Sequence, residues 1–156
     1  MRIRTGTQND LTALQQLFAN TVATICRDDY SEEQINVWIS SALKNDERWQ
    51  HIFAGQFLLV AEEQDKITGF CSLAKNGYLD FLYVHIDHQG KGIAAALYRR
   101  MEEAAISKGA AQLTADVSTN ARYFFEKIGF DMLAEQTVIR QGVELNNFKM
   151  RKELFN

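Results

Sequence analysis

The sequence predicts an α/β protein, with a mixed sheet of about seven strands flanked by helices in the order β-αα-βββ-α-β-α-ββ. Two observations carry the prediction. Residues 8–53 place apolar side chains at helical spacing, whereas residues 57–84 switch to short apolar runs separated by turn residues. A long amphipathic stretch over 92–108 then divides those strands from a second group.

Residues 2–5 read as a short opening strand. Thr7 followed by Asp10 resembles a capping box and introduces a helix carrying Leu11, Leu14, Leu17, Phe18, Val22 and Ile25 on one face. Ser31 with Gln34 three residues on opens a second helix through Ile35, Trp38 and Ile39, and a further helical piece covers 45–53. Residues 57–62 and 66–73 flank a hairpin turn at 63–65. Asn76-Gly77 is a tight-turn signal, followed by a strand over 78–84. The helix over 92–108 stripes Ile93, Leu97, Met101 and Ala104 and stops at Gly109. A strand over 111–117, a helix over 119–128 and a closing hairpin, 130–140 with 143–151, complete the order.

No linker, charge block or repeat interrupts the 156 residues, so residues 1–156 read as one domain. A chain of this length buries roughly 70% of its unfolded surface and needs no disulfide or metal to hold a core. With 46% hydrophobic and 24% charged residues it has the composition of a globular protein. A net charge of −3 argues against wholesale nucleic-acid binding. No apolar leader or bilayer-length apolar run is visible, so the expected location is cytoplasmic, without a membrane partner. Cys26 and Cys71 lie in apolar surroundings and read as buried structural thiols.

The stretch with chemistry follows Leu82-Tyr83-Val84. After His85–His88 comes Gln89-Gly90-Lys91-Gly92-Ile93-Ala94, where the long helix begins. Glycines at 90 and 92 let a ligand approach the backbone closely. The first turn of a helix adds unpaired N–H groups and a partial positive charge, together a phosphate site. As a bare pattern the motif is weak, with roughly 0.1–0.2 chance matches in such a chain. There is no P-loop Gly-Lys-Ser/Thr, and Ala95 stands where a Rossmann fingerprint needs its third glycine.

Strand, loop and the downstream Ala121-x-x-Phe124-Phe125-Glu126-Lys127-Ile128-Gly129-Phe130 together resemble the GNAT superfamily of N-acetyltransferases, as does the element order over nearly the whole chain. The resemblance implies a splayed sheet holding acetyl-CoA, as co-substrate, between the strands at 78–84 and 111–117. It implies pantetheine contacts along Leu82, Tyr83 and Val84, and pyrophosphate on the backbone of Gln89, Gly90, Lys91, Gly92, Ile93 and Ala94. The reaction it implies is direct attack of a small-molecule or peptide amine on the thioester, with no metal. It leaves room for a homodimer. Two positions depart from the family: Ser118 replaces an asparagine that often faces the cofactor, and Phe125 replaces a tyrosine thought to protonate the thiolate.

An amine nucleophile needs a route for its proton. On an alternating strand Tyr78, Asp80, Leu82 and Val84 share one face, and Asp80 is a carboxylate among apolar neighbours. It reads either as the proton acceptor or as a structural charge paired with a cation. Tyr78 is the other catalytic candidate, and Trp38 a candidate for the acceptor cleft. His85 and His88 read as solvated, and Cys71 has no histidine partner for a nucleophilic role. A non-catalytic acyl-CoA-binding module and a loop for another nucleotide are the alternatives.

Overall fold

The computed structural model describes residues 1–154. The chain runs β1 (Arg2–Thr5), α1 (Leu11–Ile25), α2 (Glu32–Leu43), α3 (Asp46–Gly55), β2 (Phe57–Glu63), β3 (Lys66–Leu73), β4 (Leu79–Val84), α4 (Ile93–Ser107), β5 (Gln112–Val117), α5 (Arg122–Lys127), β6 (Asp131–Arg140) and β7 (Val143–Glu153). This is the predicted order, with the helical piece expected over 45–53 standing as a third helix, α3, ahead of β2. Ser31 Oγ accepts from the Gln34 N–H at 3.1 Å while the Ser31 N–H donates to Gln34 Oε1 at 2.9 Å, so that capping box is real. At Thr7 the start is a 3₁₀ turn over Gln8–Asp10, where Asp10 accepts from the Thr7 N–H at 2.8 Å.

The strands do not form one continuous sheet. β1-β2-β3-β4 is one antiparallel sheet and β5-β7-β6 another. They meet where Tyr78 bridges Thr114 in parallel, with the Thr114 N–H donating to the Gly77 carbonyl at 3.0 Å. Gly77 makes this junction feasible. Its φ is +85°, and a Cβ there would stand 2.6 Å from the Gln112 carbonyl oxygen. Beyond the junction β4 and β5 diverge, and the strands in sequence order 4 and 5 become the two walls of a cleft.

Two apolar layers hold this V. On one side Leu97, Met101 and Ala105 of α4 and Phe125 of α5 pack on Leu59, Cys71, Leu113, Ala115, Val117 and Met150. On the other, α1, α2 and α3 cover Leu58, Val60, Phe70 and Phe81 through Leu14, Phe18, Ile35, Trp49 and Ile52. Among the described residues no helix is long and apolar enough to cross a membrane.

Candidate active site

β4 departs from simple pleating at the position where chemistry was expected. Ser72 pairs with Phe81 and Leu73 with Leu79, which leaves Asp80 in a bulge. Leu79 therefore joins Leu82 and Val84 against α4, while Phe81 and Tyr83 face α1–α3. The expectation that Tyr78, Asp80, Leu82 and Val84 share one face fails at this slip, because one extra residue inverts the alternation. Asp80 is turned instead toward α3. Its Oδ1 accepts from Arg48 Nη2 at 2.8 Å and its Oδ2 from Gln56 Nε2 at 3.0 Å, with the carboxylate side chain 9% exposed. Arg48 also lies over the Phe81 ring, 4.2 Å from its centroid. Of the two sequence readings of Asp80, pairing with a cation is the one the geometry displays.

Hydrogen-bonded and non-bonded pairs alternate along an antiparallel ladder. The His85 N–H donates to the Thr68 carbonyl at 2.7 Å, and the register continues through Val84↔Gly69, Tyr83↔Phe70 and Leu82↔Cys71. The backbone of Tyr83 is thus committed to β3, while that of Leu82 and Val84 turns to the free edge facing β5. The Val84 carbonyl on that edge accepts from Thr21 Oγ1 at 3.2 Å and Gln89 Nε2 at 2.6 Å. Gln89 thereby ties the loop to the strand. Tyr83 reaches the cleft as a side chain, with its ring 5.1 Å from that of Phe18, and burial raises its phenol pKa.

At the open end of the V, Gly90 and Gly92 adopt φ of +75° and +81°. A Cβ at either would meet no atom within 4 Å, so open space faces this backbone. The Ala96 N–H closes the first turn of α4 on the Gly92 carbonyl at 3.0 Å. From residue 89 to residue 95, no backbone N–H finds an acceptor among the described residues. The Ile93 side chain is buried under α4, so its backbone is what it can offer here.

The cleft between these features has a volume of about 640 Å³. Tyr78, Asp80, Leu82, Tyr83, Val84, Gln89, Ala94, Ser118 and Phe125 line it, whereas Gly90, Lys91, Gly92 and Ile93 lie beyond its end. Trp38, Arg48 and Asp116 line it too. Ser118 precedes a 3₁₀ turn, Thr119–Ala121, where one helix over 119–128 was expected, and its hydroxyl makes no cap bond. Phe125 packs edge-on against Phe130 at 5.1 Å, while Tyr123 is 73% exposed. Cys71 is fully buried and Cys26 sits in the cleft wall, donating to Asn120 Oδ1 at 3.3 Å. Burial pushes the Cys26 thiol up to about 12 and raises Cys71 further, which opposes a nucleophilic role. The Tyr78 hydroxyl donates to Asp116 Oδ2 at 3.0 Å, and burial followed by the Asp116 charge raises its pKa. Arg48, Gln56 and Asp116 carried no sequence signal, because chain separations of 24 to 38 residues lie between them and their partners.

Phe125→Tyr is expected to change kcat by less than ~10-fold, and Tyr78→Phe likewise, short of the ~10²–10⁴ of a required general acid. A thiol with a pKa near ~8.5 leaves readily as thiolate without a proton donor. Steady-state release of free thiol checks both variants.

A strand edge with open backbone groups, ending in a row of free N–H groups at a helix start, defines a fold that clasps an extended ligand by its anionic end. A family model for the acetyltransferase (GNAT) domain matches residues 26–154, and the chain belongs to that family. It is 30% identical over 151 residues to YafP, an uncharacterized N-acetyltransferase of Escherichia coli (strain K12), covering 97% of this chain and 95% of the relative. The crystal structure of a GCN5-related N-acetyltransferase from Rhodopseudomonas palustris matches with a TM-score of 0.92 at 34% identity, covering 98% and 95%. The PaiA N-acetyltransferase of Thermoplasma acidophilum, solved in complex with coenzyme A, shares the fold at a TM-score of 0.77 and 22% identity, covering 97% and 98%.

Proposed function

We propose that residues 1–156 form one N-acetyltransferase domain that moves an acetyl group from acetyl-CoA to a primary amine, by direct attack in a ternary complex. The row of unbonded N–H groups over 89–95 carries the reading, because it offers an anion several donors and a helix start together. Open space above Gly90 and Gly92 fits a pyrophosphate laid on the backbone. The Leu82 backbone and the Val84 N–H offer edge groups to the pantetheine amides, and Ala115, Val117, Ser118 and Phe125 wall the opposite side. Family membership supports the acetyl donor. Acetyl-CoA would bring an activated thioester; the chain would orient it, exclude water and take the amine proton.

Thiol release from acetyl-CoA in the presence of a primary-amine library tests the reading. Release that depends on the amine is expected. Calorimetric binding of acetyl-CoA with no thiol released by any amine would instead make the chain a binding module. Thermal stabilisation by ATP or NAD and none by CoA would overturn the cofactor assignment.

A further inference from the structure

Two carboxylates line the cleft close to the Tyr78–Thr114 bridge, and their partners differ. Asp80 is held by the Arg48 guanidinium at 2.8 Å and the Gln56 amide at 3.0 Å. One Asp80 oxygen is thus occupied by a cation in a charge-assisted bond and the other by the amide. Asp116, two residues along β5 from the Tyr78–Thr114 bridge, is exposed and lines the same cleft. Its two bonds come from neutral donors, the Tyr78 hydroxyl at 3.0 Å and Gln136 Nε2 at 2.8 Å. Each oxygen accepts one bond and keeps a second lone pair. Lys149 of β7 stands directly across the ladder but forms no ion pair with it among the described residues. The groups around Asp116 are thus Tyr78, just ahead of β4, Asp80 from β4, Arg48 from α3, Gln136 from β6 and Lys149 from β7. Both hydrogen-bond partners of the Asp116 carboxylate are neutral side chains.

We infer that Asp116 is a catalytic residue of the acetyl transfer proposed above, on which this assignment rests, and that it takes the proton from the acceptor's ammonium group. The ammonium gives one proton to the Asp116 carboxylate, which frees the nitrogen lone pair. That pair forms the C–N bond to the thioester carbon, and the C–S bond breaks with its electrons on sulfur. The second nitrogen proton passes to the thiolate, giving free thiol and an amide, and Asp116 returns its proton to solvent. Asp80, in this scheme, positions Arg48 at the cleft wall. Sequence alone concealed Asp116: Leu113, Ala115 and Val117 alternate with Thr114 and Asp116, the ordinary pattern of a half-buried strand.

The test is steady-state thiol release from acetyl-CoA with 2-phenylethylamine, spermidine, L-lysine and a short peptide with a free N-terminus. Asp116→Asn should lower kcat by ~10²–10⁴, the range for a general base, with acetyl-CoA affinity by calorimetry unchanged. It should also lose the rise of kcat with pH on the acid side, which Asp116→Glu and Asp80→Asn should retain. Asp116→Ser serves by the same criteria if the asparagine variant fails to fold. A kcat within ~10-fold of the parent and an intact acid limb would overturn the assignment, as would loss of that limb in Asp80→Asn alone. If the parent releases no thiol with any of the four amines while binding acetyl-CoA, the transfer reaction itself falls and this assignment with it.

Discussion

Trp49→Ala is expected to lower the unfolding free energy by ~3–5 kcal/mol, the usual cost of removing a large aromatic from a packed core. The indole is 1% exposed and packs within an aromatic cluster, 4.9 Å from the Phe81 ring and 6.2 Å from Phe18. Its Nε1 donates to the Ala42 carbonyl at 3.0 Å, which ties the start of α3 to the end of α2. Alanine would lose those contacts and open a void the helices cannot close without shifting, and the Ala42 carbonyl would keep only backbone donors such as the Asn45 N–H at 3.2 Å. The neighbouring Arg48 then loses its fixed platform over Phe81, so the cleft wall loosens with the core. Urea unfolding measures the effect as a fall in midpoint at constant slope. Trp49→Phe, which keeps a ring but not the N–H, should recover much of the loss. A loss below ~1 kcal/mol for the alanine variant would mean that the cluster repacks, contrary to the close packing of interiors.

Much of the fold was legible because local signals and tertiary structure agree. Ser31 with Gln34 looks like a cap and is one; Asn76-Gly77 looks like a tight turn and sits where only glycine clears the Gln112 carbonyl. Polarity alternation finds strands but does not say which strands pair, so the split into two sheets could not be read. The bulge at Asp80 was hidden for a related reason. Leu79, Asp80 and Phe81 fit an unbroken alternation, and the slip follows from pairing with β3 rather than from residue type. That slip is why a carboxylate expected to share a face with Leu82 and Val84 instead meets α3. The shape of the loop over 89–94 was legible because it resides in the backbone, which glycine and a helix start announce. The polar partners of the cleft are side chains assembled from α3, β4, β5 and β6, a grouping that spacing along the chain does not reveal.

Gly92→Val is expected to weaken acetyl-CoA by ~2–4 kcal/mol, or roughly 30- to 1,000-fold in Kd. Gly92 caps α4 in the left-handed region at φ +81° and ψ 10°. A β-branched residue there costs on the order of 1–3 kcal/mol of strain. A Cβ meets no protein atom within 4 Å, so the substitution does not clash with the fold. The chain then has two ways to accommodate valine. It can keep the left-handed turn and project two methyls into the space before the N–H row. Alternatively, it can relax φ toward negative values, which rotates the neighbouring N–H groups away from a common acceptor. Both weaken a bound pyrophosphate, since hydrogen bonds to a charged group contribute ~1.5–3 kcal/mol each. Gly92→Ala, with one carbon and no branch, should fall between parent and valine. Lys91→Ala should cost only ~1 kcal/mol, because an exposed side chain contributes as a screened point charge. Calorimetric titration with acetyl-CoA, on variants whose thermal unfolding shows them folded, separates the cases. An affinity unchanged in Gly92→Val would remove the loop from the cofactor site. Equal losses in Gly92→Val and Lys91→Ala would move recognition from the backbone to the lysine charge, and only a steep rise from Lys91→Ala through Gly92→Ala to Gly92→Val supports a phosphate seated on the main chain.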